Sequence, residues 1–427
     1  MRENNTLQDI ECRNCGKELI HSFADLGATP LCNEIINPEE LNRGQKEYPL
    51  HVYVCEECFL VQVGACVSPE VIYSDYSYFS SYSDSWLDHA RRYVDTMIGL
   101  YNINPNSFVV EIASNDGYLL QYFKEKNIPH FGVEPSNTVA QAALNKGIPT
   151  EEVFFGKQTA DSLREKYQEA DLILGNNVLA HVPNIHDFVG GLEILLGDKG
   201  IMTFEFPHLM QLVENIQFDT IYHEHFFYYS LHAVQSIFKS HGFKIFDVQE
   251  LNTHGGSIRI FVSRKTNTQR KISDNVKRIL HDEKVKGYLN IEFYTTFNKN
   301  VQQLKRDLLS LLIQEKNKGK SIVGYGAPGK GNTLLNFCGI GTDFMDFTVD
   351  RNPHKQDHFL PGSLIPIYQP EKIMEAKPDY VFILPWNLKR EIMNQTNYIG
   401  EWGGKFIIPI PYPRIMPAQK VKGVGVH

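Results

Sequence analysis

The sequence predicts an α/β protein in three parts. These are a small cysteine-rich N-terminal module, a doubly wound parallel sheet with an antiparallel edge, and a second α/β domain. Three observations carry this. The chain has 427 residues, which at roughly 150 residues per domain is about three domains. Six of its seven cysteines fall within the first 66 residues. Two later stretches alternate apolar strands with helical periodicity, as parallel sheets covered by helices do.

Residues 1–75 carry short strand patterns at His51–Val54 and Leu60–Val63, and read as a module that needs a metal to hold it. Residues 76–268 open with helical spacing of Trp86, Leu87, Ala90, Tyr93, Val94, Met97, Ile98 and Tyr101. Phe108–Ile112 is a buried strand that runs through a turn into a helix over Leu119–Lys126. Further strands are expected at His130–Val133, Asp171–Leu174 and Ile201–Phe206. A helix over Leu231–Ser240, capped by Ser230, stops at Gly242, and strands at Phe243–Val248 and Ile258–Ser263 close the sheet. Residues 269–318 form a helical connector with Leu304, Leu308, Leu311 and Leu312 on one stripe. Residues 319–427 return to α/β texture, with strands at Ser321–Tyr325, Phe347–Asp350, Tyr380–Leu384 and Phe406–Pro409. In both α/β segments a strand enters a glycine-containing turn and a second strand ends in an acid, Glu134 or Asp350. That repetition predicts a weak internal duplication.

Composition narrows the function classes. Hydrophobic residues are 42% and charged residues 22%, enough apolar sequence for sizeable cores. The net charge of −8 argues against a nucleic-acid coat, which needs a basic face. No apolar run approaches the ~20 residues of a membrane span. The first residues are polar and lack a secretory apolar segment. A cytoplasmic protein with neither nucleic-acid nor membrane partners is expected.

Cys12/Cys15 and Cys55/Cys58 are two C-x-x-C pairs separated by 39 residues. Each pair can sit on a tight knuckle and give two corners of a tetrahedral Zn²⁺ site, and Gly16 supplies a turn residue. Four thiolates leave no open position for water, so such a zinc is structural. Buried or redox-active thiols are the alternative. Cys32, Cys66 and Cys338 read as core residues.

Glu111-Ile-Ala-Ser-Asn-Asp-Gly117 joins a strand end to a helix start. An acid, then the small residues Ala113 and Ser114, then Asn115 and Gly117, match an S-adenosylmethionine loop, because small residues let backbone approach the cofactor. Glu134, ending the next strand, would accept from ribose hydroxyls. Asn176 and Asn177 complete the cofactor candidates. A dinucleotide site would want the same acid, but the G-x-G-x-x-G turn is missing. Asn115-Asp116-Gly117 is equally a plain turn signal.

Tyr222-His-Glu-His225 precedes the Ser230 cap. Its histidines are two apart, which excludes the H-E-x-x-H zinc-protease pattern. If extended, it puts His223 and His225 on one face and Tyr222 and Glu224 on the other; a turn would break that rule, and the Ser230 cap suggests a loop just before a helix. A histidine beside a carboxylate and a phenol suits proton abstraction next to a carbonyl. His254-Gly255-Gly256-Ser257-Ile258-Arg259 offers close backbone approach and an anion clamp, or equally a sharp hairpin. Gly324-Tyr325-Gly326-Ala327-Pro328-Gly329-Lys330-Gly331-Asn332 can cradle a phosphate with backbone N–H groups and Lys330, or serve as an interdomain turn. Gly331 after the lysine excludes a P-loop.

Taken together and in this order, these motifs resemble the sugar-nucleotide C-methyltransferases of deoxysugar pathways, over nearly the whole chain. The resemblance implies an N-terminal zinc module, a class I methyltransferase domain and a C-terminal Rossmann-like domain facing the nucleotide. It implies a dTDP-linked 4-keto-deoxysugar substrate, deprotonated at C3 and methylated there by S-adenosylmethionine, in a monomer. By the same resemblance His225 is the base, Tyr222 and Glu224 are its hydrogen-bonding partners, and Tyr76 and His181 line the sugar. The substrate candidates are His254, Gly255, Arg259, Tyr325, Gly326, Lys330 and Asn332. Ala113 stands where glycine is usual, and Gly329 where alanine is common. An O-methyltransferase and a non-enzymatic zinc-ribbon binding protein are the competing readings. A diphosphate on an acidic chain needs local donors such as Arg259 and Lys330 to overcome the global sign.

Overall fold

A computed structural model describes residues 10–64, 67–68, 71–72 and 79–418. Tyr76 and Cys66 lie outside the described residues. Three sheets organise the chain. The first is antiparallel, with β1 (His21–Thr29), β2 (Tyr48–Val54) and β3 (Val61–Val63), and with β9 (Phe227–Tyr228) at its edge. The strand β1 has no counterpart in the sequence reading. Its two register shifts, between Ser22 and Ala24 and between Asp25 and Ala28, break the alternation that marks a strand.

The second sheet has seven strands: β4 (Val109–Ile112), β5 (His130–Val133), β6 (Thr150–Glu151), β7 (Ala170–Asn176), β8 (Leu196–Pro207), β10 (Phe243–Leu251) and β11 (Ser257–Arg264). Their order is β10-β11-β8-β7-β4-β5-β6, with β11 antiparallel to both of its neighbours. The chain turns one way from β4 to β5 and the other way to β7, so a crevice opens beyond the carboxyl ends of β4 and β7. Helix Asp84–Tyr101 covers one face with Ala90, Tyr93, Val94 and Met97. It starts where the Ser83 hydroxyl accepts from the Trp86 N–H and ends at left-handed Asn102. Helix Leu231–Ser240 lies where its Ser230 cap and Gly242 stop predict it.

The third sheet runs β14-β13-β12-β15-β16-β17: β12 (Ile322–Tyr325), β13 (Thr348–Val349), β14 (Ile367–Tyr368), β15 (Tyr380–Ile383), β16 (Lys405–Ile408) and an antiparallel β17 (Arg414–Pro417). Its switch point lies between β12 and β15. The first sheet is wedged between the other two. Phe23 stacks on Phe297 of helix Phe297–Asn317 with centroids 4.4 Å apart, while Cys12, Cys55 and Cys58 share a core with β4, β7 and β8. No helix among the described residues is long and apolar enough to cross a membrane.

Candidate active site

The two knuckles close on each other. The Gly16 N–H donates to the Cys12 carbonyl at 2.8 Å and the Phe59 N–H to the Cys55 carbonyl at 3.0 Å, and both residues are left-handed, with φ of 75° and 55°. All four sulfurs lie within 4.8 Å of one another, with Cys12–Cys58 at 3.6 Å and Cys15–Cys55 at 3.5 Å. A tetrahedron with Zn–S bonds of ~2.3 Å has edges of roughly 3.8 Å, so the donor set fits Zn²⁺. The wholly buried Gln62 donates to the Cys12 sulfur at 3.1 Å, as groups behind metal ligands do.

The turn after β4 is wound tightly. Ala113, Asn115 and Gly117 have φ of 57°, 52° and 74°, so two non-glycine residues sit in a region that costs energy unless the surroundings impose it. Glu134 imposes it. Its carboxylate accepts from the Asn115 N–H at 3.0 Å and the Ser136 N–H at 2.9 Å, and burial raises its pKa to about 7. Ala113, Asn115, Glu134, Asn176 and Asn177 line one end of a cavity of about 540 Å³. The Oδ1 atoms of Asn176 and Asn177 are buried without a partner among the described residues. Such atoms suit a polar small molecule, and the residues present fit S-adenosylmethionine. Two candidates shape the turn rather than the wall. Glu111 is buried beneath it, its pKa raised by burial and by the charges of Asp116 and Glu134. A Cβ on Gly117 would lie 2.4 Å from Ile148 Cδ1.

The same cavity continues to Tyr222, Glu224, His225, His181 and His254. Residues 222–225 form a turn, not a strand, with the His225 N–H on the Tyr222 carbonyl at 2.9 Å. The turn agrees with the loop expected before the Ser230 cap, and it brings Tyr222 and His225 to one side. His225 Nδ1 lies 2.9 Å from the Thr220 carbonyl, which can only accept, so Nδ1 carries the proton and Nε2 the lone pair. The Tyr222 hydroxyl donates to Nε2 at 2.8 Å. Burial, then the neighbouring His181 with ring centroids 4.7 Å away, pushes the His225 pKa well below 6.5. Burial also brings His181 and His254 down to about 4. Glu224 does not partner His225. It accepts from Asn33 Nδ2 at 2.6 Å and from the Cys32 thiol at 3.7 Å, and burial raises it to about 6. His223 points away, its Nε2 donating to the Tyr48 carbonyl at 3.1 Å.

The far end is built by Asn33, Gly329, Lys330 and Lys355. Lys330 Nζ donates to Asn387 at 3.1 Å and lies 5.0 Å above the Trp386 ring. Trp386 donates to the buried Asp219 at 2.6 Å, joining the two larger sheets. Five of the expected substrate residues are elsewhere. Arg259 is buried against Glu205 and over the Tyr93 ring, so it is no anion clamp. Gly255 packs on Trp386, where a Cβ would lie 2.6 Å away, and belongs to the hairpin between β10 and β11. The Tyr325 hydroxyl donates to Gln395, Gly326 sits against Pro385, and Asn332 Nδ2 donates to the Cys32 carbonyl at 2.5 Å. Sequence reasoning missed Asn33, Lys355, the Asp219–Trp386 tie and Trp86, which also lines the cavity. Lys355 had one signal, its place just after the acid-ended strand β13; the others had none.

Three family models match along the chain: a zinc binding domain over residues 12–73, a methyltransferase domain over 86–248 and a C-methyltransferase C-terminal domain over 252–411. C-methyltransferase NovU of Streptomyces niveus is 34% identical over 418 residues, which are 97% of this chain and 99% of that protein. The chain belongs to the C-methyltransferase family. This C-methyltransferase is an S-adenosylmethionine-dependent enzyme, and its four-cysteine cluster is the zinc site. Membership sets aside the zinc-ribbon scaffold and the O-methyltransferase. Solved structures overlap the C-methyltransferase over a smaller share. An S-adenosylmethionine-dependent methyltransferase of Anabaena variabilis is 15% identical with a TM-score of 0.33, over 41% of this chain and 84% of its own. The magnesium protoporphyrin IX methyltransferase of Synechocystis PCC 6803, solved with bound SAH, is 16% identical with a TM-score of 0.33, over 46% of this chain and 91% of its own.

Proposed function

We propose that this enzyme methylates C3 of a nucleotide-linked 4-keto-deoxysugar, the nucleotide being dTDP, in branched deoxysugar biosynthesis, and that it works as a monomer. In this reading residues 1–75 hold the metal, 76–268 bind the cofactor and carry the base, 269–318 connect, and 319–427 receive the nucleotide. One observation carries it: an imidazole kept neutral by burial, with its lone pair on Nε2, in the cavity that also holds the cofactor turn and two lysines. Methyl transfer to carbon needs a carbanion, and a C4 carbonyl makes the C3 proton removable.

His225 Nε2 takes that proton, and the Thr220 carbonyl, already on Nδ1–H, stabilises the imidazolium. The Tyr222 hydroxyl, released from Nε2, turns to the enolate oxygen. His181 and His254 stay neutral beside it, so neither competes as a cation. Lys330 and Lys355 face the diphosphate and supply the local positive charge that the chain's net −8 withholds. S-adenosylmethionine, when bound, supplies the electrophilic methyl group. Tyr76 keeps its family role as a sugar-lining phenol.

The test omits the cofactor. The enzyme should exchange the C3 proton of a dTDP-4-keto-deoxysugar with deuterated solvent in the presence of SAH, followed by NMR. Methylation without any C3 exchange would overturn the carbanion route.

A further inference from the structure

The loop that carries the base is held from behind. Tyr222 and His225 face the cavity, His223 lands on the zinc module, and Glu224 reaches both. His223 donates to the Tyr48 carbonyl of β2, and Glu224 accepts from Asn33. Directly after the loop, β9 pairs with β3, Gln62 opposite Phe227 and Val61 opposite Tyr228, and the Val63 N–H donates to the Phe226 carbonyl at 3.0 Å. Gln62 is the link to the metal cluster. Its Nε2 donates to the Cys12 sulfur at 3.1 Å, and its Oε1 accepts from the Arg13 N–H at 3.0 Å. On the other side, the Phe226 N–H donates to the Ala180 carbonyl at 2.7 Å, beside His181.

We infer that Gln62 is a positioning residue, which transmits the fixed geometry of the four-cysteine cluster through the β3–β9 ladder to the loop bearing His225. The zinc module then serves the deprotonation and not the cofactor. The cofactor end of the cavity is walled by Ile112, Ala113, Asn115, Glu134, Asn176 and Asn177, all from the seven-stranded sheet and its turns. Outer partners of metal ligands typically matter 10–100-fold. Here that factor should fall on loop order and proton removal. The inference rests on His225 being the base.

The test uses the full chain in three forms: untreated, stripped of zinc by a chelator, and with Gln62→Leu, which removes both amide bonds at similar volume. Amide hydrogen exchange is followed in peptides spanning 222–229 and 111–120, with SAH affinity by calorimetry and C3 exchange of a dTDP-4-keto-deoxysugar. In both altered forms, protection of 222–229 should fall by roughly tenfold or more. C3 exchange should fall by about 10–100-fold. SAH affinity and the 111–120 peptide should stay within about threefold of the untreated protein. Unchanged protection of 222–229 in Gln62→Leu overturns the inference. So does a parallel loss of SAH binding, which would make the module a support for the whole fold. If the untreated enzyme shows no C3 exchange at all, the substrate reading fails instead, and the amide exchange still decides the role of Gln62.

Discussion

The seven-stranded and six-stranded sheets build the same device twice and use it differently. In each, the second strand ends in an acid that accepts from a backbone N–H of the first turn and from the residue two places beyond itself. Glu134 takes Asn115 and Ser136; Asp350 takes Ala327, at 2.7 Å, and Asn352, at 2.8 Å. The first turn then opens onto the cavity through Ala113 and Asn115. The second is roofed by protein. Lys355 donates to the Ala327 carbonyl at 2.7 Å, Asn332 reaches the Cys32 carbonyl, and a Cβ on Gly329 would come within 2.9 Å of the Cys32 sulfur. Only Pro328, Gly329 and Lys330 of that turn reach the cavity. In the proposed function, one fold element holds the cofactor where its turn is left bare, and where a neighbouring module plugs the turn, the same element lends its rim to the substrate.

That contrast can be broken at either end. The largest effect belongs to the open half. His225→Asn should lower C3 exchange and methyl transfer by about 10³-fold, within the span of general-base removal, while SAH affinity holds within about twofold. Lys330→Met, on the plugged half, should instead raise KM about tenfold and leave kcat within about threefold, the mark of lost substrate binding. Steady-state kinetics with a dTDP-4-keto-deoxysugar separates the two. A fall in kcat alone for Lys330→Met would mean that the second sheet joins the chemistry.

A smaller effect compares the acids themselves. Glu134→Gln should weaken SAH about tenfold by calorimetry, roughly one charge-assisted hydrogen bond, whereas Asp350→Asn should leave it unchanged. Equal losses would mean that both turns serve the cofactor. The smallest effect is on stability. Burial raises the Glu134 pKa to about 7 from 4.5, so the folded cofactor-free chain binds a proton there more tightly than the unfolded chain. Its contribution is full below pH 4.5 and is lost as pH rises towards 7. The melting temperature without cofactor should fall across that window, less steeply in Glu134→Gln.

Much of this was legible in local sequence. C-x-x-C spacing is a local property of a knuckle, and the Ser230 cap and Gly242 stop bound a helix by themselves. The strand–turn–helix of Val109–Leu120 and the acid at Glu134 follow from short-range patterning. What failed was direction across distance. The Ser230 cap suggests a loop at Tyr222–His225, but nothing local says which of its side chains a turn brings together. Arg259 reads as a free cation until Glu205 of β8 is seen beside it. Asn33 sits in a stretch without periodicity, and nothing local says that it meets Glu224, 191 positions away.

The β3–β9 pairing has a consequence for how the chain is made. The strand that completes the first sheet lies in the middle of the polypeptide, so a growing chain presents β3 with its outer backbone groups unpaired long after its cysteines have emerged. An open strand edge is a template for pairing with other chains. Metal loading can proceed early, but protection of that edge waits for Phe227 and Tyr228. A fragment ending before them should keep its zinc and still tend to self-associate.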